Sequence, residues 1–159
     1  MAPFDPENPF PYAYDNLLHP ILRIAMHHVE RQSNAEDITQ DAFVKLLEHR
    51  RPFASEEHLK AWMIRVTLNL CKNHNRAANQ RNAPLPDQVP VNPPDRSVLL
   101  AVRQLPEKYR TAIFLHYFEG YTAREMAILL GRSQNTILSW LKRGREQLRQ
   151  QLIGGFDDE

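Results

Sequence analysis

The stretch TAREMAILLGRSQNTILSWLKR, residues 122–143, determines the fold prediction for the second half of the chain. Thr122 and Glu125 have the spacing of a capping box, in which each side chain binds a free backbone amide at the start of a helix. Gly131 can take the left-handed conformation that ends a helix, and Ser133 is a favourable cap for the next one. A short helix, a turn containing glycine and a longer second helix predict a helix-turn-helix.

The second of these helices, from Gln134 to about Leu152, carries the candidate DNA-binding side chains. In a bound helix-turn-helix it lies in the major groove with its N-terminal residues against base edges. The candidates for reading bases are Gln134, Asn135, Thr136, Leu138 and Ser139. The basic residues that follow, opposed only by Glu146, suit phosphate contact, which adds affinity without sequence information: Lys142, Arg143, Arg145 and Arg149. A purely structural three-helix bundle is the alternative.

Prolines divide the chain. Because proline is excluded from helix interiors, its clusters predict irregular segments between helical ones. The predicted organisation is an irregular tail at residues 1–11, a helical domain at 12–81, a proline-rich linker at 82–95, a helix-turn-helix domain at 96–153 and an acidic tail at 154–159. With only five glycines and little alternation of apolar and polar residues, an all-β fold is disfavoured, and we expect an all-α protein of two small domains.

The first domain is predicted to hold three helices. The first covers Leu17–Arg31, and a capping box at residues 33–36 opens the second, which runs to about His49. The third runs from about Glu56 to Ala78. Helical spacing assigns their buried stripes to Ile38, Ala42, Phe43 and Leu46 in the second, and to Leu59, Trp62, Met63, Val66 and Leu70 in the third.

Charge is sorted between the second and third helices. Residues 30–57 hold seven acids against four bases, whereas residues 60–81 hold five bases and no acid. Two solvated helix faces would explain this pattern, but opposite faces in one small unit favour two partners, one basic and one anionic. One strip comprises Asp37, Asp41, Val44 and Glu48, and the other comprises Arg65, Asn69, Lys72 and Arg76.

Other sequence features bound the class of protein. No apolar run approaches membrane-spanning length and the N-terminus lacks a signal-peptide layout, so we expect a cytoplasmic protein without membrane insertion. The single Cys71 excludes an internal disulfide. The pairs His27-His28 and Cys71…His74 are poor metal sites, and Cys71 fits better as a small buried apolar residue. We expect no catalytic residues, metal or cofactor.

Two modules in this order carry a family resemblance. AEDITQDAFVKLL (residues 35–47) resembles the region 2 helix of extracytoplasmic-function (ECF) sigma factors, in the sigma-70 family. SEEHLKAWMIRVTLNLCKN (residues 55–73) is similar to the promoter-melting segment that follows it, and Leu105 through Arg145 is similar to sigma region 4. The resemblance covers nearly everything except the termini and the linker.

The resemblance implies a specificity subunit of bacterial RNA polymerase, which recognises and opens promoters while the polymerase carries out all the chemistry. It implies that the β′ coiled coil of core polymerase binds Asp37, Gln40, Asp41 and Phe43. It places Asn69 at an unstacked base of the −10 element, with Arg65, Lys72 and Arg76 beside phosphates. The −35 element would meet Gln134, Asn135, Thr136, Leu138, Ser139, Lys142, Arg143 and Arg145. The β flap and an anti-sigma factor are further implied partners.

Three positions depart from the family pattern. Asn135, Leu138 and Trp140 stand where the family usually has a small residue, a basic residue and arginine, respectively. The loss of two charges bears on −35 specificity, and Trp140 would either pack in the core or lie on the DNA backbone. A stand-alone helix-turn-helix regulator is the main alternative function, although it gives no role to the charged helices of the first domain.

Overall fold

The computed structural model describes residues 2–80, residue 98 and residues 100–157, and within those ranges it contains helices and no strand. Its contacts divide the chain into two compact units, Met1–Val89 (unit 1) and Pro90–Glu159 (unit 2). The expected all-α fold is confirmed. The predicted linker at 82–95 lies outside the described residues.

Unit 1 is a bundle of three helices, each packed against the other two: α1 (Phe10–His28), α2 (Gln32–Glu48) and α3 (Glu56–Gln80). The helix α1 begins seven residues before the predicted Leu17 and takes in Phe10 and Pro11, which were assigned to the irregular tail. Proline is tolerated there because the first-turn amide that it lacks has no partner within a helix.

The residues before α1 are tied to unit 1. The Ala2 amide donates to Asp15 at 2.8 Å, and the Phe53 amide donates to the Pro6 carbonyl oxygen at 3.2 Å. The ring of Phe4 meets that of Tyr12 edge-on, with centroids 5.7 Å apart. These contacts hold the N-terminal segment against α1 and against the loop before α3.

The predicted capping box at the start of α2 does not form. The helix begins at Gln32, one residue before Ser33, and Arg31 in the cap position makes no side-chain cap bond. The carboxylate of Glu36 accepts a hydrogen bond from the Gln32 side-chain amide at 3.1 Å instead of reaching back to the backbone. The predicted buried stripe of α2 is confirmed, since Ile38, Ala42, Phe43 and Leu46 are all buried.

The buried stripe of α3 is rotated from the prediction. Leu59 and Met63 are buried as expected, but Trp62, Val66 and Leu70 are only half-buried. Thr67 is buried in their place. Its hydroxyl donates to the Met63 carbonyl oxygen at 2.7 Å, which satisfies the buried polar group. Ile64 and Cys71 are also buried. Cys71 packs with Ala25, Val29, Ala35 and Ile38, as predicted for a small apolar residue.

Unit 2 contains a helical turn at residues 100–103, α4 (Glu107–Ile113), a π-helical turn (Phe114–Phe118), α5 (Ala123–Leu130) and α6 (Gln134–Asp157). The predicted capping box is confirmed by bonds between Thr122 and Glu125 of 3.0 and 3.1 Å. Gly131 has the expected left-handed φ of 68°, and the Ser133 hydroxyl accepts from the Thr136 amide at 3.1 Å. The residues 122–143 thus form the predicted helix-turn-helix.

Two features of unit 2 go beyond the sequence prediction. The helix ending near Phe118 widens into a π turn, in which the Glu119 amide donates to the Phe114 carbonyl oxygen at 3.2 Å. The helix α6 continues past Leu152 to Asp157, so the segment 154–157 of the predicted acidic tail is helical. The i→i+4 bonds of a long helix carry it through this segment once α6 is anchored upstream.

Candidate nucleic-acid and polymerase surfaces

The acidic strip of α2 lies on the outer side of unit 1. Asp37, Gln40 and Asp41 are exposed, opposite the buried stripe of the same helix. Two large apolar side chains continue this surface, Val44 at 49% exposed and Leu47 at 62%. Large apolar side chains grouped at a surface are a sign of a protein contact. Leu47 was missed by the sequence reasoning, which placed Asp37, Asp41, Val44 and Glu48 on one face and gave this leucine no role.

Phe43 does not belong to that surface. It is 6% exposed, and its ring meets that of Phe10 edge-on with centroids 5.9 Å apart. The resemblance assigned Phe43 to polymerase contact together with three exposed residues. A side chain buried beneath α2 shapes the helix surface without offering its own ring, so the contribution of Phe43 to polymerase binding stays a prediction of support from beneath.

The basic strip of α3 is continuous. Arg65, Asn69, Lys72 and Arg76 are all exposed and recur at i, i+4, i+7 and i+11 along an unbroken helix. An exposed asparagine offers two donors and one acceptor in a plane, which suits the edge of a base, while the neighbouring cations suit phosphates. The structure therefore brings together the four residues predicted for this site.

An aromatic cluster that the sequence reasoning missed packs beside the start of α3. Phe53 is buried, its ring stacks on that of His49 with centroids 4.6 Å apart, and Trp62 packs on both. The Nδ1 atom of His58 accepts from the Ala54 amide at 3.0 Å, which fixes the loop between α2 and α3. The alternation of aromatic residues and histidines in residues 49–62 was the available signal.

The N-terminal turn of α6 presents some of the predicted base-reading residues more openly than others. Gln134, Asn135 and Leu138 are exposed. Thr136 is half-buried and its hydroxyl lies 2.8 Å from that of Ser133, so its side chain takes part in the helix cap. Ser139 is also half-buried. The first three are the best placed to reach base edges.

Trp140 does not pack fully in the core, and its contact with the DNA backbone stays a prediction. It is half-buried, and the guanidinium carbon of Arg132 lies 5.8 Å from the centroid of its ring. This is the distance of a cation–π contact, and it links α6 to the turn of the helix-turn-helix. Position 140 lacks the arginine that is usual in the family, but the guanidinium of Arg132 lies over the Trp140 ring and places a positive charge nearby.

The basic residues behind the reading turn are exposed, and two of them contact tyrosines. The Arg145 guanidinium donates to the Tyr117 hydroxyl at 3.2 Å. The pKa of Tyr109 is lowered below its ordinary value, first by the Arg143 guanidinium acting as a hydrogen-bond donor to its hydroxyl, against a smaller opposing effect of burial and with help from Lys108. Lys142 is exposed beside them.

Two of the residues considered for metal binding, His28 and Cys71, have structural roles. His28 is buried with Nδ1 2.8 Å from the Ile24 carbonyl oxygen, and Cys71 lies in the core cluster. Among the described residues, no group of three or more histidine, cysteine or acidic side chains is arranged to hold a metal. In the same part of the chain, none of the helices has the length and apolar character needed to cross a membrane.

Two family models match the chain, Sigma-70 region 2 over residues 13–81 and Sigma-70, region 4 over residues 95–148. The chain is 28% identical to RNA polymerase sigma factor SigZ of Bacillus subtilis, over 89% of this chain and 85% of SigZ. It is 29% identical to ECF RNA polymerase sigma factor SigM of Mycobacterium tuberculosis, over 86% of this chain and 76% of SigM.

Solved structures share the fold. The sigma factor RpoE from Bartonella quintana, in complex with the anti-sigma factor NepR, matches with a TM-score of 0.69 at 22% identity, over 91% of this chain and 96% of RpoE. CnrH, in complex with the cytosolic domain of CnrY, matches with a TM-score of 0.66 at 22% identity, over 91% of this chain and 88% of CnrH.

The two family matches occur in the order found in the sequence and together take in α1 to α3 and the helix-turn-helix. A stand-alone helix-turn-helix regulator is not favoured, because it gives no account of the region 2 match. The chain therefore belongs to the sigma-70 family and is an RNA polymerase sigma factor of the extracytoplasmic-function group.

Proposed function

We propose that this sigma factor divides its work among three helix faces: α2 binds core polymerase, α3 binds and opens the −10 element, and α6 reads the −35 element. The observation that carries the proposal is the separation of charge in unit 1. The acidic residues of α2 and the basic residues of α3 lie on exposed faces of one three-helix bundle, where a single partner of either charge could not satisfy both.

The polymerase contact is assigned to Asp37, Gln40 and Asp41, extended by Val44 and Leu47. Charged and amide groups around apolar side chains resemble the polar rim and apolar centre of protein interfaces. The proposed partner is the β′ coiled coil, as the family resemblance implies. Phe43 acts from beneath by packing against α1.

The −10 contact is assigned to the strip on α3. Arg65, Lys72 and Arg76 suit phosphates, which position a protein on DNA, and Asn69 can pair with the edge of a base that has left the stack. Contacts made only with the opened strand would offset the free energy of unstacking. Promoter opening is therefore attributed to this strip.

The −35 contact is assigned to α6. Gln134, Asn135 and Leu138 would meet base edges in the major groove, with the apolar Leu138 suited to a thymine methyl group rather than to a phosphate. Thr136 and Ser139 contribute at the margin of this contact. Lys142, Arg143 and Arg145 would bind the phosphates on either side.

The remaining partners follow from the family. The β flap of core polymerase is proposed as the partner of unit 2 beside DNA, and a cognate anti-sigma factor is proposed by analogy with RpoE, whose structure contains NepR. The protein would act in the cytoplasm, where the polymerase works, and would contribute no catalytic group of its own.

Transcription in vitro with core polymerase and a library of promoter sequences tests the assignment. The expected result is initiation at a subset of promoters that share −10 and −35 elements. Alanine at Gln134 or Asn135 should relax the preference at particular −35 positions, whereas alanine at Lys142 should lower binding evenly across the library. Initiation without any shared −35 element, or equal behaviour of these variants, would contradict the roles given to α6.

A further inference from the structure

The helices α4 and α6 approach closely at Gly144. This glycine is buried within α6, and a Cβ atom added to it would lie 2.8 Å from Cγ1 and 3.1 Å from Cδ1 of Ile113. Real Cβ atoms do not approach neighbouring atoms to 2.8 Å, so the absence of a side chain allows α6 to lie directly on α4. Gly144 follows Ile137 and Leu141 on the buried side of α6.

The two residues that flank Gly144 reach the neighbouring helical segment at points before and after Ile113. Arg143 pairs with Tyr109, four residues before Ile113; the Tyr109 Cβ lies 3.5 Å from a Cβ atom added at Gly144, and Arg143 lowers the pKa of the Tyr109 hydroxyl. Arg145 donates to the hydroxyl of Tyr117, four residues after Ile113, at 3.2 Å. Residues two apart in a helix point to opposite sides, so the two arginines straddle the crossing.

The π-helical turn contributes to this geometry. Tyr117 lies within the segment Phe114–Phe118, which has more residues per turn than an α-helix. The wider turn rotates Tyr117 back toward the side of the helix that carries Tyr109 and Ile113. Tyr117 is 54% exposed, so burial of its ring does not account for this placement, whereas Tyr109 is 7% exposed.

The two arginines also lie on different edges of the reading helix. Arg145 recurs with Gln134 and Leu138 at i, i+4 and i+11, whereas Arg143 recurs with Thr136 and Ser139 at i, i+3 and i+7. A guanidinium has five N–H donors, so a bond to one hydroxyl leaves enough donors for a bidentate contact with phosphate. The tyrosine contacts are therefore compatible with DNA binding.

We propose that Tyr109 and Tyr117 are positioning residues for the −35 contact. Before DNA is bound, the Tyr109 hydroxyl orders Arg143 and the Tyr117 hydroxyl orders Arg145, on the two sides of the Gly144 crossing. Arginine has many rotamers in water, and immobilising such a side chain on binding has an entropic cost. Side chains that are already held lose less freedom when they meet phosphate. The inference rests on the proposed phosphate contacts of these arginines and adds how the fold prepares them.

The test measures binding of the holoenzyme to a promoter duplex that the wild-type holoenzyme selects from the library. Tyr109→Phe and Tyr117→Phe remove one oxygen atom each and leave the rings in place. Each is expected to weaken binding by about two- to ten-fold, in line with the cost of ordering one rotamer-rich side chain. Tyr14→Phe removes the same atom from an exposed tyrosine of unit 1 and serves as the matched control, with wild-type affinity expected.

A double-mutant cycle separates positioning from a structural role. In an Arg145→Gln background, Tyr117→Phe should have no further effect on affinity, because the side chain that it positions is gone. A loss of the same size in both backgrounds, or a lower melting temperature of Tyr117→Phe, would assign the hydroxyl to stability and overturn the inference. The same cycle applies to Tyr109 with Arg143→Gln.

The single variants distinguish this inference from the proposed function beneath it. If Arg143→Gln and Arg145→Gln bind promoter duplex like the wild type, the proposed phosphate contacts themselves are wrong. If the arginine variants bind weakly while both tyrosine variants bind normally, the phosphate contacts stand and the positioning role is wrong.

Discussion

Both units present basic side chains on an exposed helix face, but they connect those side chains to the core in different ways. In unit 1 the strip from Arg65 to Arg76 lies on the side of α3 away from the buried stripe. In unit 2 Arg143 and Arg145 flank a buried glycine; Arg145 bonds to Tyr117, and Arg143 pairs with Tyr109 and lowers its pKa. We therefore expect that the basic side chains of unit 1 can be changed without disturbing the core, whereas those beside Gly144 in unit 2 are linked to the packing of α6 on α4.

The pKa values of one tyrosine in each unit are shifted in opposite directions. The pKa of Tyr12 in unit 1 is raised, first by burial and then by its hydrogen bond to Glu56, whose carboxylate is 3.1 Å away. The pKa of Tyr109 in unit 2 is lowered by the bond from Arg143. The Tyr12 hydroxyl thus donates to Glu56, and this bond connects α1 to α3. The Tyr109 hydroxyl instead accepts from Arg143, which is proposed to contact DNA.

The largest expected effect tests whether the surface charges of unit 1 can be reversed without loss of stability. Asp37→Lys combined with Asp41→Lys should weaken binding to core polymerase by about 30-fold or more, because like charges would then face the proposed partner. Changes at exposed helix positions leave stability within about 0.5 kcal/mol, so the melting curve should be nearly unchanged. Affinity measurements with core polymerase, together with thermal melting, check both parts.

Glu7→Lys combined with Glu30→Lys makes the same change in net charge at exposed positions outside α2 and serves as the control. If the control pair lowers affinity as much as the α2 pair, the effect is one of overall charge and the docking surface is misplaced.

The next effect concerns strand opening by α3. Asn69→Ala should leave polymerase binding unchanged and reduce open-complex formation by about ten-fold, a fraction of the few kcal/mol needed to unstack a base. Permanganate reactivity on a linear promoter reports the opening, and a preopened bubble template should restore much of it. Asn73→Ala, an exposed amide one turn further along α3, is the matched control. Normal opening and unchanged base preference by Asn69→Ala would remove it from the −10 site.

The coupling in unit 2 predicts a smaller change that affects both stability and binding. Gly144→Ala should destabilise unit 2 by about 1–2 kcal/mol, because crowding against Ile113 outweighs the gain of up to about 1 kcal/mol in helix propensity. Displacement of α6 should also weaken promoter binding. Thermal melting and duplex affinity measure the two effects, with exposed Gln150→Ala as the control. If Gly144→Ala is more stable than the wild type and binds the duplex with normal affinity, packing and DNA binding are not linked in unit 2.

The smallest effect is on the titration of a single phenol. Arg143→Gln should raise the pKa of Tyr109 toward its ordinary value, because the cation that favours the ionised form is lost. The pKa of Tyr12 should stay where it is, since its causes lie in unit 1. Carbon-13 NMR of labelled tyrosine rings follows both groups in one titration, and an unchanged Tyr109 would mean that Arg143 does not hold its hydroxyl in solution.

Local signals in the sequence were sufficient for the helix-turn-helix. The cap at Thr122, the left-handed turn at Gly131 and the cap at Ser133 depend on hydrogen bonds between residues three to five apart. The charged strips of α2 and α3 were equally predictable, because an exposed face follows from helical spacing once the helix is known. For these features the neighbours in the chain are also the neighbours in space.

Tertiary packing decided the rest. The box at Ser33 has the same spacing as the one at Thr122, yet it is replaced by an earlier helix start and a bond between Gln32 and Glu36. Packing also chose Thr67 over Val66 for the core of α3 and placed Phe43 beneath a surface it was expected to join. The contacts of Gly144 with Ile113, and of the two arginines with their tyrosines, span about 30 residues of sequence. Helical spacing cannot specify such pairs, because it sets which side of a helix a residue occupies but not which helix it meets there.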